Sequence, residues 1–291
     1  MNLRHLILHL RLPFSLYLMP VFLFALSQQV DIHWPNTLIV FVVLHLFLYP
    51  SSNGYNSYMD QDTGSIGGIK SPPKVPKAMF FTSIILDILG LLLLVILLQN
   101  NLVSLLALLY ILASRAYSYR KIRIKRFPIM GFLHVSFFQG VVIFLLSSSA
   151  MSNNMIVNTT LIVQLIIAFL LVAAGYPLTQ IYQHDQDKAD NVTTLSMKLG
   201  IKGTFIFSGI LFFLLGICLF LYLGIMMNEW LILGLFAVFT FPVFSHFIKW
   251  MKQVYENQQA ATFENTMRMN NLGALCVNLY FIVYITLHNF L

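Results

Sequence analysis

The sequence predicts an all-α integral membrane protein of about nine transmembrane helices, and three observations lead there. The 291 residues are 58% hydrophobic and only 9% charged, with a mean hydropathy of +0.80. Charge this sparse excludes a soluble core of the same size. Apolar runs long enough to cross a bilayer recur at 13–30, 36–52, 78–98, 102–118, 129–148, 159–180, 203–226, 229–247 and 270–290. Finally, all seventeen Lys and Arg residues lie before the first run or near the loops after the second, fourth, sixth and eighth. The opposite connections carry none. By the positive-inside rule, this places the N-terminus and the polar loops in the cytoplasm and the C-terminus outside. One missed or invented span would scatter the charges, so their alternation also supports the count. We read 1–291 as a single membrane-embedded domain of the plasma or inner membrane.

Taken in order, Arg4 and Arg11 precede the first run, but no small-residue cleavage site follows it and further spans come directly after, so no cleavable signal peptide is expected. The second and fourth runs are short. The third carries Asp87 at its middle, where a carboxylate is costly. A structural hydrogen bond or a protonated side chain is the first reading, ahead of a substrate contact. His45 and His134 are read as core or interface histidines, Gln139 as an interhelical partner, and Cys218 and Cys276 as packing residues without ligand spacing. The segment 250–268, with Glu256 and Glu264, reads as a solvated loop with helical potential. Acidic loops follow runs two and six, and basic or mixed loops follow runs four and eight. That order suggests two diverged four-helix units plus a ninth helix around a central cavity.

Two polar islands stand out. Residues 53–77 contain Asn53, Asn56, Asp60 and Asp62, followed by Lys70 and Lys74. Asn56 and Asp60 are four apart and share a face if the second helix runs through them. Residues 180–191 place Gln183, Asp187 and Asp190 on one helical face, with Gln180, His184 and Asn191 close by. Asp185 reaches the same site only if the helix end bends. Five of the ten acidic residues lie in these islands. Each could be an ordinary solvated loop, but two, each after an even-numbered span on the same side, favour a shared site. Oxygen ligands followed by cations suit a phosphate ester held through Mg²⁺, which takes carboxylate, water and phosphate oxygens, with lysines neutralising the remaining charge. The loop 115–128 is the most basic stretch. It reads as an anchor on anionic headgroups, as a source of Lys125, with Tyr117 or Arg123, for the phosphate groups, or as both. The net charge of +7 reflects topology, not nucleic acid.

At these islands the chain resembles the UbiA superfamily of intramembrane prenyltransferases, with nine helices and aspartate-rich motifs after helices two and six. Asn56 and Asp60 match the first motif, Asn-x-x-x-Asp-x-x-x-Asp, and Gly64 stands at its third position. Lys70 and Lys74 stand where two arginines would be, and Val75 replaces a proline. Counting back from Thr194-Leu195, Gln183, Asp185 and Asp187 occupy the second motif, Asp-x-[Asp/Glu]-x-Asp. Tyr117-Ser118 and Lys125 resemble the exit of the fourth helix. The resemblance implies Mg²⁺-dependent transfer of a prenyl chain from a polyprenyl diphosphate to an acceptor, an aromatic quinone-precursor-like ring above all. It implies Asp60 and Asp187 as catalytic residues and Asn56, Asp60, Asp62, Gln183, Asp185 and Asp187 around the metal. Lys70, Lys74, Tyr117, Arg123 and Lys125 would bind the diphosphate. A transporter, with Asp87 as ion carrier, and a degenerate, non-catalytic member of the family are the competing readings.

Overall fold

The computed structural model describes residues 3–152 and 157–290. Among the described residues nine helices are long and apolar enough to cross a bilayer: α1 (Leu3–Ser27), α2 (Trp34–Asp60), α3 (Ala78–Leu98), α4 (Asn101–Ser118), α5 (Pro128–Met151), α6 (Thr159–Ala189), α7 (Leu195–Met226), α8 (Trp230–Glu256) and α9 (Phe263–His288). The one extended pairing described is an isolated bridge between Ile66 and Ile69. The all-α fold and the helix count agree with the sequence reading, and the chain is an integral membrane protein.

Local chemistry sets the helix starts. Asn100 accepts from the amides of Leu102 and Val103 (3.0 and 3.2 Å), and Asn158 from that of Leu161 (2.9 Å), which satisfies amides without an intrahelical acceptor. Trp34-Pro35 and Pro128 open α2 and α5, where a proline loses no hydrogen bond. Side chains such as Phe81, Ile96, Leu231 and Phe241 point outward and are exposed, as a lipid-facing surface requires. Inside, Phe24 of α1 packs its ring 5.2 Å from Phe144 of α5 and 5.6 Å from Phe281 of α9. Gly140 lets α5 touch the backbone of α6: a Cβ there would lie 2.5 Å from the carbonyl oxygen of Ala168.

The helices differ from the apolar runs mainly at the ends on the basic face. α1 begins ten residues before its run and is interrupted at Arg11, whose backbone is left-handed (φ 49°), before a 3₁₀ stretch from Leu12 to Tyr17. α2 continues to Asp60, and α6 passes through a 3₁₀ stretch, Tyr176–Gln183, to reach Ala189. The expected solvated loop at 250–268 is largely helix. α8 runs to Glu256, α9 begins at Phe263, and buried Trp250 donates from Nε1 to the carbonyl of Ala260 (2.9 Å). At the ends of α2 and α6, polar residues such as Asn56, Asp60, Gln183 and Asp187 face the cavity, so the helices continue past the point where hydropathy alone ends the run.

Asp87 is resolved in favour of structure. Its carboxylate pairs with Arg115 of α4. The Arg115 guanidinium also donates to Ser51 Oγ (2.7 Å) and the Ser83 carbonyl (3.2 Å) and stacks over the Tyr55 ring at 4.0 Å. The pair ties α2, α3 and α4 together, and Asp87 has no place on the central cavity. Removing one member of a buried pair strands the other charge, at a cost of about 3–5 kcal/mol. Asp87→Leu is therefore expected to lower the apparent Tm of the detergent-solubilised protein sharply. Combining it with Arg115→Met should recover part of the loss. Equal melting of the single and double variants would refute the ion pair as the cause.

Candidate active site

The last turns of α2 lie inside the bundle. Gly54 lets them press on Met79 of α3, whose Sδ would lie 2.6 Å from a Cβ at that position. Asn56 and Asp60, one turn apart, both face the central cavity. The helix stops at Gln61, which takes the left-handed conformation (φ 54°) and returns its amide to the Ser57 carbonyl (3.0 Å). That turn brings Asp62 back to the same cavity. Burial pushes the Asp62 carboxyl above its ordinary range; nearby Asp60 adds to this, while the Gln186 hydrogen bond, Lys125 and Arg11 oppose it.

From the other side, the 3₁₀ stretch of α6 turns into a short helix from His184 to Ala189, and Gln183 and Asp187 line the same cavity. Gln183 Nε2 donates to the Ser65 carbonyl (3.2 Å), joining the two islands directly. Gln180 accepts the Ser196 amide (3.1 Å), which fixes the α6 end against α7.

The α4–α5 loop closes the site. Tyr117 and Tyr176 have hydroxyls 2.5 Å apart, and Ser118 Oγ donates to Asn56 Oδ1 (2.8 Å). Lys125 Nζ lies 2.6 Å from Asp60 Oδ2, and Arg123 Nη2 lies 3.3 Å from Asp60 Oδ1. Both oxygens of Asp60, whose side chain is only 2% exposed, are thus held by cations from this loop. Arg123 also pairs with Asp190 and donates to its carbonyl (3.1 Å). Burial alone would raise the Asp190 carboxyl, but Arg123, with Arg120 and Lys125, holds it below the usual carboxylate range.

The structure therefore brings Asn56, Asp60, Asp62, Tyr117, Lys125, Gln183 and Asp187 to one cavity of about 370 Å³, with Arg123 directly behind Asp60. It leaves three sequence candidates outside. Asp185 is exposed, because the helix end does not bend enough to turn it inward. Lys70 lies beyond the Ile66–Ile69 turn and pairs with Glu264 at the surface. Lys74 is also exposed. The sequence reading missed Arg11. Its guanidinium is buried on the cavity, over the Phe14 ring, and donates to the Asn53 carbonyl (3.0 Å). A basic residue before a first span reads as a topology signal, and only the αL break at Arg11 reveals its second use. His134 also lines the cavity, stacked 5.8 Å from the Tyr117 ring and bonded through Nε2 to the Ala113 carbonyl (3.0 Å). The rest of the wall is mostly apolar, with Phe138, Leu171, Phe236 and Val243 among its residues, and carries a few polar side chains such as Gln139, Thr240 and Asn270.

Carboxylate and amide oxygens form a hard donor set suited to Mg²⁺. Among the described residues, no three carboxylate, imidazole or thiol groups converge into a complete cage. That fits an ion which completes its shell with waters and substrate phosphates. Lys125 presents a positive charge to Asp60 where such an ion would compete for it.

The fold is similar to that of a UbiA homologue from Archaeoglobus fulgidus bound to GPP and Mg²⁺ (TM-score 0.69, 16% identity, 97% of this chain and 99% of that one). It is also similar to an apo UbiA homologue from Aeropyrum pernix (0.67, 16%, 94% and 98%) and to a digeranylgeranylglyceryl phosphate synthase (0.59, 20%, 98% and 97%). At these identities the likeness is one of fold. Among curated proteins none matches the sequence significantly. The family model of the UbiA prenyltransferases matches residues 17–272, a stretch that contains both acidic islands and the basic loop between them, and the chain belongs to that family.

Proposed function

We propose that this protein transfers a prenyl chain from a polyprenyl diphosphate to an aromatic, quinone-precursor-like acceptor at the cytoplasmic boundary of the membrane. One observation carries the reading. The polar ends of α2, α6 and the α4–α5 loop meet at a cavity whose remaining wall is predominantly apolar, which matches a ligand with a charged head and a hydrocarbon tail. The Archaeoglobus fulgidus homologue with GPP and Mg²⁺ supports the same ligand class for this fold.

In this proposal Asn56, Asp60, Asp62, Gln183 and Asp187 would hold Mg²⁺ beside the diphosphate, and the ion, when bound, would neutralise charge on the leaving group. Lys125 moves from Asp60 to the phosphate oxygens, and Arg11 adds positive charge from the α1 side. Arg123 stays on Asp60 and Asp190, keeping the α2 end in register with α6. Tyr117, fixed by Tyr176, borders the reacting carbon, where it and Phe138 offer ring faces to a developing allylic cation. The apolar wall excludes water from that cation until the acceptor attacks. Asp185, Lys70 and Lys74 receive no substrate contact in this arrangement, because they lie outside the cavity.

Transfer of labelled prenyl diphosphates to a panel of aromatic and lipid acceptors tests the reading. Product is expected to require Mg²⁺ and to disappear with EDTA. Asp60→Asn and Asp187→Asn should each lower kcat/KM by about a hundredfold or more, the scale for losing one preorganised electrostatic group, and Lys125→Met should weaken diphosphate binding. Asp185→Asn and Lys74→Met should stay within a few-fold of wild type. Mg²⁺-independent diphosphate binding without turnover would point to a non-catalytic member. Failure of folded protein to bind any prenyl diphosphate would refute the proposal.

The same reading fixes sidedness. In intact cells an impermeant maleimide is expected to label Asn228→Cys, between α7 and α8, and to reach Gln258→Cys, between α8 and α9, only after lysis. The opposite pattern would invert the topology.

A further inference from the structure

His134 lines the central cavity, and among the described residues it is the one imidazole that does. Its place in the wall follows from the course of α5. Just after it the helix widens into a π-helical stretch, Phe137–Val142. On a regular α-helix His134 and Gln139 would stand about 140° apart. The wider turn lets His134, Phe138 and Gln139 all meet the cavity. The His134 ring is fixed from α4 as well as from its own helix. Tyr117 of α4 stacks on it at 5.8 Å, and Phe138 packs against it at 4.7 Å. Nε2 lies 3.0 Å from the carbonyl oxygen of Ala113, also on α4. A carbonyl can only accept, so in the neutral ring Nε2 carries the hydrogen and Nδ1 keeps the lone pair.

Any acceptor that displaces diphosphate from a prenyl carbon must shed a proton. It comes from a ring carbon when a C–C bond forms and from a hydroxyl when an ether forms. The other ionisable groups on the cavity are already committed. Both oxygens of Asp60 are held by Arg123 and Lys125, and in the proposed function Asp62 and Asp187 are ligands for Mg²⁺. Arg11 and Lys125 are cations without a lone pair to offer. Phenols such as Tyr117 and Tyr176 keep their protons near neutral pH, where an imidazole is a ready base. We propose, resting on the prenyltransferase reading, that His134 is the general base that takes the acceptor's proton on Nδ1. The C1–O bond of the prenyl diphosphate breaks, and its electron pair leaves with the diphosphate. The allylic carbon bonds to the acceptor. The acceptor's C–H or O–H bond then returns its electron pair to the acceptor, and the proton passes to Nδ1. Positive charge thus moves from the allylic cation to the imidazolium, and no new charge is created in the largely apolar pocket. The imidazolium gives the proton to the diphosphate as it departs.

Two variants test this, each keeping part of what His134 does structurally. His134→Phe keeps an aromatic ring against Tyr117, and His134→Gln keeps an amide donor for the Ala113 carbonyl. Neither has a base. With an acceptor that wild type uses, each should lower kcat for transfer about a hundredfold, within the range of general-base catalysis, and leave KM for the prenyl diphosphate within threefold. Ionisation needs no base. Exchange of an ¹⁸O label between the bridging and non-bridging positions of the prenyl diphosphate should therefore continue at no less than half the wild-type rate. Transfer at the wild-type rate in either variant would overturn the proposal. So would transfer and exchange falling together, the pattern of a residue that only shapes the cavity. ¹⁵N spectra of histidine-labelled protein give a readout free of turnover. The His134 signals, assigned by their loss in His134→Gln, should show Nε2 protonated and Nδ1 bare. A proton on Nδ1 instead of Nε2 at neutral pH would also refute the base. Failure of the prenyltransferase reading shows in wild type, which then transfers to no acceptor and takes the base with it. Failure of the base alone shows only in the variants and the spectra.

Discussion

The site depends on a single carboxylate. Asp60 is buried at the last residue of α2, and a bare charge there would be prohibitive. The α4–α5 loop resolves this by turning at Arg123 in a left-handed conformation (φ 48°), which puts Arg123 and Lys125 on the two oxygens of Asp60. Arg123 then binds Asp190 beyond the end of α6. Three segments far apart in sequence are joined through one acidic group, and their polar ends form one wall. The arrangement also gives the largely buried Lys125 a partner, so its charge is held at low cost on the cavity.

The bilayer explains why such a wall stands at one end of the bundle. Along the apolar length each helix can satisfy its backbone only internally, and side chains pack ring against ring. Polar groups within that length include two paired sets, Asp87 with Arg115, and Gln28 with Gln164 and Tyr222. Near the basic face helices can end, bend and switch to 3₁₀ geometry, because water and polar side chains satisfy the freed groups. Four of the six left-handed non-glycine residues among those described, Arg11, Gln61, Arg123 and Asn191, occur there, each beside a group that meets the cavity or the Asp60 cluster; Gln99 and Asn228 turn the chain at the opposite face. An amphiphilic substrate is matched by the same gradient that stabilises the fold.

Much of this was legible in the sequence because it rests on period and composition. The nine runs follow from hydropathy. Asn56 and Asp60 follow from a spacing of four, and Asp187 from the helical face it shares with Gln183. What was not legible depends on where the chain turns. Lys70 and Lys74 follow the first island in sequence, but the Ile66–Ile69 turn, with Gly68 at φ 85°, sends them outward. The ends of α2 and α6 were placed too early because hydropathy falls where Asn56, Asp60, Gln183 and Asp187 turn toward the cavity. His45 shows the opposite case. It was expected to be a core histidine, and its ring packs 4.4 Å from Phe41 and 5.3 Å from Tyr49.

The two departures from the aspartate motifs are complementary in space. Gly64 stands where the first motif would place its third carboxylate, and the Gln186 side chain packs against it, so a larger residue at 64 would displace that amide. Gln186 in turn bonds Asp62, which the Gln61 turn brings to the cavity two residues early. In the second motif Gln183 replaces an aspartate, and its amide nitrogen donates to the Ser65 carbonyl in the loop that carries Gly64. A carboxylate at 183 could not make that bond, because it has no hydrogen to donate. The two glutamines of the second island, Gln183 and Gln186, thus hold the loop that follows the first in place. Fewer carboxylates also mean less mutual repulsion among Asp60, Asp62 and Asp187 before a metal and an anion arrive. The glutamine amide gives the two halves of the cavity a contact that a carboxylate in its place could not make.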